Sequence, residues 1–433
     1  MLKKTKNKTT KLGVLIMCIL LLSAGCGKSG SGSSQGPVTL TFWKTFEDSE
    51  NMQILINAYR AKNKNVQVVY TKKNIENYET DLLNALASGN GPDIFSIHNS
   101  WLPKYMDKVS PADLKTFPFK EYKDAFVDVA VQDFTRDNKI FAVPLSVDSL
   151  ALYYNKDLMG TVGIATPPKT WGELSSHVQR LKRQDSTGYF TRSGVAVGTY
   201  SNINRSVDIL YLFMLQSGVL PYSSDGTQPM FSQGIEKNGN YTNPAQDALS
   251  YFTSFASPLK SNYNWNYRSD YSIDAFANGR TAYMYGYSYT RAAIVQKAPQ
   301  LNFDAAPVPQ PNLDDPAVNF ANYWGEAVSK QSKNQQAAWD FLKFISSREA
   351  LDAYYAQVKY PSSRKDLVEL QAQDHEIGVF ASANLTAKAF YRPDQAKMDA
   401  IFGQMIDAVI LKGFSSDEAV NQASQQASTL TGY

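Results

Sequence analysis

The amino-acid sequence predicts an α/β protein of two domains, and two observations carry this prediction. Strand and helix patterns alternate between residues 38 and 97. Such alternation is typical of a parallel sheet covered by helices. The chain has 433 residues, and the ~400 that follow a leader-like start exceed the size of one ordinary domain.

Each element of the alternation has its own pattern. The run VTLTFW (38–43) is rich in β-forming residues, and ENMQILINAYRAKN (50–63) repeats apolar residues at helical spacing. VQVVY (66–70) predicts the second strand. YETDLLNALASGNG (78–91) predicts a helix with glycine at its exit, and PDIFSI (92–97) predicts the third strand.

Two loops of this alternation are candidates for a site. Ligands of parallel sheets bind beyond the carboxyl ends of the strands. The loops KTFEDS (44–49) and HNSW (98–101) follow the first and third predicted strands. We therefore expect both loops to open towards a binding site.

Residues 1–25 have the composition of a secretory leader: lysines without acids, an apolar run over 12–22, then small residues. This run is shorter than the ~20 residues that span a bilayer as a helix, so a permanent transmembrane anchor is the weaker interpretation. The segment LSAGC resembles a bacterial lipobox, in which cleavage leaves Cys26 as a lipid-bearing N-terminus. A chance cysteine behind an ordinary cleavage site is the alternative. The Gly- and Ser-rich residues 26–36 predict a flexible tether.

The cysteines and the charge exclude several classes of protein. Cys18 and Cys26 are the two cysteines of the chain, so we expect no disulfide and no thiolate metal site in the folded part. There are 43 Lys and Arg against 40 Asp and Glu, and five of the lysines lie in the leader. A nearly neutral mature chain without basic clusters is not expected to bind nucleic acid.

The sequence carries none of the common catalytic motifs. Its histidines, His98, His177 and His375, form no HExxH pair, and there is no Walker A loop and no GxSxG elbow. We therefore expect no metal, no cofactor and no enzyme activity. A carboxylate pair for glycoside hydrolysis stays open, because acids are plentiful and none is marked as a partner.

Aromatic side chains are abundant, with 26 Tyr, 22 Phe and 6 Trp. Several stand in polar stretches such as NSWLP, SNYNWNYRSDYS, YMYGYSYTR and NFANYWGE, where burying the ring would also bury unpaired polar neighbours. Aromatic faces beside amides and carboxylates suit carbohydrates. Trp265 and Trp324 are candidates on this ground, and a structural role at a lobe interface is the alternative.

Several segments, in their order along the chain, resemble one protein family. KIFAVPLSVDSLALYYNKDLM (139–159) has Pro144, Asp148 and the run 154–158 at matching spacing. Further matching segments are GPDIFSIHNSWLPKYMDKV, TWGELSSHVQRLK, DAFANGRTAYMYGYSY, FDAAPVPQPN, AVSKQSKNQQAAWDFLKFISS and GFSSDEAVNQASQQAS. Together they resemble the family 1 extracellular solute-binding proteins of ABC importers, over almost the whole chain beyond the leader.

The resemblance implies a two-lobed, type II periplasmic-binding-protein-like fold, in which each lobe is a β-sheet flanked by helices. The hinge would lie near 145–149, Pro307 and Ser346. A bound ligand would favour the closed form, which the membrane permease recognises. The resemblance also implies a monomer, held by its lipid on the extracytoplasmic face of the bacterial cell membrane. The implied lobes are 37–146 plus 308–345 and 147–307 plus 346–433.

Carrying ligand positions across residue by residue gives a candidate set. Asp148 matches a ligand-contacting glutamate, and Glu47 matches a polar position after the first strand, with Asp48 as its neighbour. The exit of the third strand lacks the carboxylate that the family presents there, which argues against maltodextrin specificity. The full set, with Arg364 as its weakest member, is Trp43, Glu47, His98, Asn99, Trp101, Asp148, Trp265, Tyr287, Tyr289, Trp324 and Arg364.

The expected function is capture of a carbohydrate, an oligosaccharide or a glycoside, for delivery to an ABC permease. A receptor for a polyol or a glycerol phosphodiester is an alternative, with Arg205, Arg268 and Arg291 as candidate cations for the latter. A secreted glycoside hydrolase would need two carboxylates ~5 to 10 Å apart across one cleft. A surface adhesin, which would not close on a ligand, is the third alternative.

Overall fold

The computed structural model describes residues 36–223, 226–237 and 239–430, so the predicted leader and Cys26 lie outside the described residues. In this part of the chain the strands are β1 (Val38–Lys44), β2 (Val66–Lys72), β3 (Ile94–His98), β4 (Val109–Ser110), β5 (Thr135–Arg136), β6 (Lys139–Ile140), β7 (Ala142–Val143), β8 (Asp148–Ser149), β9 (Ala151–Asn155), β10 (Arg183–Gln184), β11 (Phe190–Val195), β12 (Ile235–Lys237), β13 (Asn240–Thr242), β14 (Thr281–Gly286), β15 (Phe303–Ala306), β16 (Asn319–Asn322), β17 (Trp324–Ser329) and β18 (Ala387–Lys388).

The helices of the described residues are α1 (Ser49–Lys62), α2 (Ile75–Ala87), α3 (Leu102–Tyr105), α4 (Phe119–Ala125), α5 (Asp128–Phe134), α6 (Lys156–Gly160), α7 (Trp171–Leu181), α8 (Ser206–Gln216), α9 (Pro244–Ser254), α10 (Ser272–Ala277), α11 (Thr290–Lys297), α12 (Gln335–Ile345), α13 (Arg348–Val358), α14 (Lys365–Gln371), α15 (Gly378–Ala383), α16 (Gln395–Lys412) and α17 (Ser416–Ser428). None of these helices has the length and apolar character that crossing a membrane requires.

The first sheet is built mainly from the N-terminal alternation of strands and helices. Its strand order is β2-β1-β3-β17-β4, and β7 also pairs with β17. β1 lies parallel to β2 and β3, whereas β17 is antiparallel to β3. Leu40 and Phe42 of β1 are buried, because alternate side chains of a strand point to one face. The predicted order of strand, helix, strand, helix and strand is confirmed.

The second sheet has the order β10-β11-β14-β9-β15. β11 and β14 are parallel, and β9 is antiparallel to both β14 and β15. Helix α8 lies in the interior beside it, with the side chains from Ser206 to Leu215 all buried. A helix that is apolar around most of its circumference is expected at such a place. Each sheet has its own hydrophobic core, as the predicted α/β class requires.

The chain passes between the two cores through a small sheet of the order β18-β16-β8. On the outward passage Val147 packs in the first core and Leu150 in the second. On the return, adjacent residues of β16 divide between the cores, with Phe320 in the second and Ala321 in the first. β8 and β16 pair with each other, so the two passages are joined where a hinge would bend.

The packing of two C-terminal helices bears on where the chain passes between the cores. Helix α13, which follows Ser346, packs in the first core through Leu351 and Tyr354. α15 contributes Ala381 to the first core and Phe380 to a cluster on β9 and β14. The lobe boundaries stay a prediction. We propose that the second crossing lies at β16 instead of Pro307, and the third at α15 and β18 instead of Ser346.

Candidate ligand-binding site

A cavity of about 430 Å³ opens where the edge of the first sheet, the crossing strands and loops of the second sheet meet. Its volume falls in the range of small-molecule sites. Four residues of the predicted set, Glu47, Asp148, Tyr289 and Trp324, line it. The whole lining is Lys44, Thr45, Phe46, Glu47, Ser146, Asp148, Arg205, Ser288, Tyr289, Asn322, Tyr323, Trp324, Tyr360 and Pro361.

The first wall of the cavity consists of residues 44–47 and Trp324. Residues 44–47 lie at the carboxyl end of β1, which is the edge where ligands of parallel sheets bind. Trp324 is the first residue of the antiparallel strand β17, and it pairs with His98, the last residue of β3. The reversed direction of β17 therefore brings the start of this strand to the edge where β1 and β3 end.

Glu47 holds its carboxylate in a fixed position on the first wall. The carboxylate accepts hydrogen bonds from Asn51 Nδ2 at 2.8 Å and from Tyr354 Oη at 2.5 Å. The Glu47 carbonyl accepts a third from Tyr70 Oη at 2.7 Å. A carboxylate offers about four acceptor positions, so lone pairs remain for hydroxyl groups of a ligand.

Trp324 is the centre of an aromatic cluster beside the cavity. The centroid of its ring lies 5.0 Å from that of Trp101, 5.5 Å from His98, and 5.9 Å from Tyr78 and from Phe46, all edge-on. Phe46 is 58% exposed and has a φ of 63°. A bulky side chain rarely adopts this left-handed conformation, and such strain concentrates at functional sites.

Asp148 lies on β8, at the outward passage between the cores. Its carboxylate accepts hydrogen bonds from Ser288 N at 3.0 Å and from Ser288 Oγ at 2.7 Å. Burial raises the pKa of Asp148 to about 7, because loss of hydration disfavours the charged form more than these hydrogen bonds favour it. The charge of this cavity group therefore changes near neutral pH.

The second wall consists of Arg205, Ser288 and Tyr289. Tyr289 is 52% exposed, stacks on Tyr287 with 5.6 Å between centroids, and accepts a hydrogen bond from Arg205 Nε at 3.1 Å. Tyr287 in turn donates to the buried carboxylate of Asp208 at 2.8 Å. Arg205 has a φ of 56°, so the second wall also contains a residue with a left-handed backbone, as the first wall does at Phe46.

The exit of β3 is buried, which corrects the expectation that the HNSW loop opens towards the site. His98 is bonded through Nε2 to Asn322 Oδ1 at 3.1 Å, and burial holds the pKa of His98 well below its usual range, so the ring is neutral. Asn99 donates to Asp133 at 2.8 Å. Trp101 is 8% exposed. His98 and Trp101 belong to the aromatic cluster around Trp324, and none of these three candidates lines the cavity.

The remaining candidates also lie away from the cavity; they are Trp43, Trp265, Tyr287 and Arg364. Trp265 and Tyr287 are each 1% exposed and belong to the second core. The ring of Trp43 is covered by Lys73 Nζ at 3.7 Å. Arg364 forms a bidentate pair with Asp366 at 3.0 and 2.8 Å. Each of these four side chains already makes contacts within the protein. Polar neighbours in the sequence do not reveal such contacts.

The candidate set missed three prominent lining residues, Phe46, Asn322 and Tyr360. Phe46 lies in the KTFEDS loop that was expected to open towards the site, and its aromatic character was the available signal. Asn322 stands in the polar aromatic stretch NFANYWGE. Tyr360 follows α13 and carried no signal, because the packing of α13 in the first core brings it to the cavity.

Residues 55–379 match the family described as bacterial extracellular solute-binding protein. The chain belongs to this family. Its members are binding proteins and not enzymes, so the predicted membership and the prediction of no enzyme activity are confirmed. The family acts outside the cytoplasm, which makes this solute-binding protein extracytoplasmic.

Among curated relatives, this solute-binding protein is 24% identical to the maltodextrin-binding protein of Bacillus subtilis, over 80% of this chain and 79% of the relative. It is 22% identical to the multiple sugar-binding protein of Streptococcus mutans, over 81% of each.

Solved structures confirm the predicted fold class, a two-lobed type II periplasmic-binding-protein-like fold. The cyclic α-maltosyl-1,6-maltose binding protein of Arthrobacter globiformis has a TM-score of 0.76 and 21% identity, with 92% of this chain and 99% of that chain covered. The sugar-binding protein MalE of Xanthomonas citri has a TM-score of 0.75 and 20% identity, with 91% and 97% covered.

Proposed function

We propose that this solute-binding protein captures a carbohydrate, an oligosaccharide or a glycoside, and delivers it to an ABC permease. The observation that carries this proposal is the make-up of the cavity, where the rings of Phe46, Tyr289 and Trp324 stand beside the carboxylates of Glu47 and Asp148. Aromatic rings cover the apolar faces of sugars, and carboxylates accept their hydroxyl groups. The names of the maltodextrin and multiple sugar relatives support the same ligand class.

The binding step in this proposal is closure of the two walls around the sugar. The first wall is continuous with the first core through Trp324, while the second wall is continuous with the second core through Tyr287. A sugar that touches both walls stabilises the form in which they are close, and the permease recognises that form. The protein acts as a monomer in this scheme.

A thermal-shift screen of the full chain in mild detergent tests the ligand class. The panel contains oligosaccharides, glycosides, polyols and glycerol phosphodiesters. A ligand at a hundred times its dissociation constant adds about 2.7 kcal/mol to the free energy of unfolding, so a true ligand gives a clear shift. We expect a shift with a carbohydrate and intact sugar after incubation. A shift confined to polyols or phosphodiesters, or steady hydrolysis of the sugar, would contradict the proposal.

The membrane attachment in this proposal is a lipid on Cys26, with residues 27–36 as the tether. One acyl chain binds a membrane only marginally, whereas the several chains of a lipoprotein anchor hold firmly. Cys26→Ser is expected to move the protein to the soluble fraction or to leave its leader uncleaved, as seen by fractionation and the mass of the chain. A cleaved, membrane-bound Cys26→Ser protein would contradict the anchor.

A further inference from the structure

Both carboxylates of the cavity are held by neutral donors alone. Asp148 is bonded to the amide and hydroxyl of Ser288, and Glu47 is bonded to Asn51 and Tyr354. Within the part of the chain that the structure describes, neither carboxylate forms an ion pair. The adjacent acid differs in this respect, because Asp48 is paired with Lys72 at 2.6 Å.

Of the two cations that line the cavity, Lys44 has an ion-pair partner, and Arg205 is influenced by the nearby acid Asp208. Lys44 forms an ion pair with Glu326, a carboxylate that is fully buried behind the first wall. Although desolvation lowers it, the pKa of Arg205 is raised overall by the negative charge of Asp208 and by Tyr289. The lining therefore carries an excess of negative charge, located on Glu47 and, above about pH 7, also on Asp148.

The two carboxylates act on a common point of the cavity. Burial first, and then the charges of Glu47, Asp48 and Asp148, raise the pKa of Tyr360 to about 12. Tyr360 itself lines the cavity. A group bound beside its hydroxyl is therefore exposed to the field of Glu47, Asp48 and Asp148, which is a place that favours a positive charge.

Aromatic faces complete this environment. Phe46 is 58% exposed and Tyr289 is 52% exposed, and both line the cavity with Trp324. The negative face of an aromatic ring attracts an ammonium group, and the attraction grows where water is excluded. Carboxylates and rings in one cavity are thus the surroundings that select an ammonium group over a neutral substituent.

We infer that the carbohydrate of this receptor carries a positive charge, as an amino sugar whose ammonium group lies between the Glu47 and Asp148 carboxylates and the neighbouring rings. The inference rests on the proposed carbohydrate function and names the substrate class within it. Where both groups are ionised, a neutral sugar that closes the cavity leaves two carboxylates desolvated without a counter-charge, which costs free energy. An ammonium group supplies that charge.

The test compares sugars that differ only at the nitrogen. The full chain in mild detergent is titrated by calorimetry with matched sets: glucosamine, N-acetylglucosamine and glucose; the corresponding galacto and manno sets; and the chitosan dimer, its diacetyl form and cellobiose. In low salt, at least one free amine is expected to bind about tenfold more tightly than its acetylated and neutral counterparts. The preference is expected to shrink in high salt, because salt screens the attraction between charges.

Variants locate the preference in the two carboxylates. Glu47→Gln and Asp148→Asn keep the shape of each side chain and remove its charge, so each is expected to lower the ratio of amine to acetyl affinity, and the double variant to abolish it. Asp107→Asn is the matched control, because it removes a charge that is paired with Lys108 at 2.7 Å and does not line the cavity. We expect this control to keep the ratio of the unmodified protein.

Proton release gives a second readout. Asp148 has a pKa of about 7 in the empty cavity, and a bound ammonium group lowers the pKa of a neighbouring carboxyl. Just below neutral pH, binding of the amine is therefore expected to release a proton from Asp148. Calorimetry in buffers of different ionisation enthalpy measures this release, which Asp148→Asn abolishes.

Three outcomes overturn the inference. If neutral sugars bind at least as tightly as the amines, the charge assignment fails while the carbohydrate function stands. If an amine is preferred and the double variant keeps the preference, the location fails. If no sugar of any set binds, the inference and the proposed function fall together.

Discussion

Trp324 of the first wall packs directly against a hydrophobic core, whereas Tyr289 of the second wall reaches the other core only through Tyr287. Trp324 of the first wall touches four aromatic rings and packs against the first core. Tyr289 of the second wall rests on one stacked ring and one hydrogen bond. We therefore expect side chains of the first wall to serve stability and binding together, and those of the second wall to serve binding with little effect on the fold.

Removing the centre of the first wall is expected to have the largest effect. Trp324→Ala deletes a half-buried indole from the aromatic cluster, and we expect the free energy of unfolding to fall by about 3 kcal/mol, as for other large-to-small changes in packed sites. Urea denaturation followed by circular dichroism measures this fall.

Tyr289→Ala is the matched change on the second wall. Its ring is more than half exposed, so we expect a loss of stability below about 0.5 kcal/mol. Equal losses for Trp324→Ala and Tyr289→Ala would remove the proposed difference between the walls.

Asp148, which bonds across to Ser288 of the second wall, is expected to behave as a second-wall residue. Asp148→Ala removes an acceptor for ligand donors, and a hydrogen bond to a charged group is worth about 1.5 to 3 kcal/mol. We expect carbohydrate affinity to fall about 10- to 100-fold in calorimetry, with the melting temperature of the unliganded protein nearly unchanged. A large drop in that melting temperature would make Asp148 a structural residue.

The pH dependence of the free energy of unfolding is a further property expected of Asp148. Its pKa is about 7 in the folded protein and about 3.9 in an unfolded chain. Between these values the folded protein keeps a proton that the unfolded chain has lost, so the free energy of unfolding falls as pH rises from about 4 to 7 and then levels off.

Asp148→Asn is expected to remove this contribution. Relative to the unmodified protein, the variant should gain stability between pH 4 and 7, by about 1 kcal/mol once solvent screening at a half-buried carboxyl is allowed for. Urea denaturation at a series of pH values gives the difference. A difference that is flat with pH would contradict the raised pKa.

The contrast between the walls also explains what the sequence could reveal. The alternation from β1 to β3 was predictable, because the period of apolar residues depends on local structure. Glu47 and Trp324 were predictable as cavity residues, since one follows a parallel strand and the other stands in a polar aromatic stretch. The proposed crossing at α15 was not, because the packing of α13 in the first core is a long-range contact.

Other candidates failed for a related physical reason. Trp265 has polar neighbours in the sequence, yet it is buried, with Nε1 donating to Asn202 Oδ1 at 3.4 Å. Polar neighbours argue against burial only where they lack partners, and partners distant in sequence are invisible to a local pattern. Phe46 was missed although an aromatic residue in the KTFEDS loop was an available signal; its left-handed backbone has no signature in the residue type.

The smallest expected effect tests the second wall alone. Tyr289→Phe keeps the stacked ring and removes the hydroxyl that accepts from Arg205 Nε, so the guanidinium loses one of the contacts that orient it. We expect about a threefold loss of carbohydrate affinity, at the weak end for a neutral hydrogen bond, with no change in the midpoint of urea denaturation. Tyr271→Phe is the control, because Tyr271 is 41% exposed and its hydroxyl accepts from Asn204 Nδ2 at 2.9 Å outside the cavity. If both variants weaken binding alike, the Arg205 contact is not what positions the second wall; if only Tyr289→Phe does, this wall tunes affinity without supporting the fold.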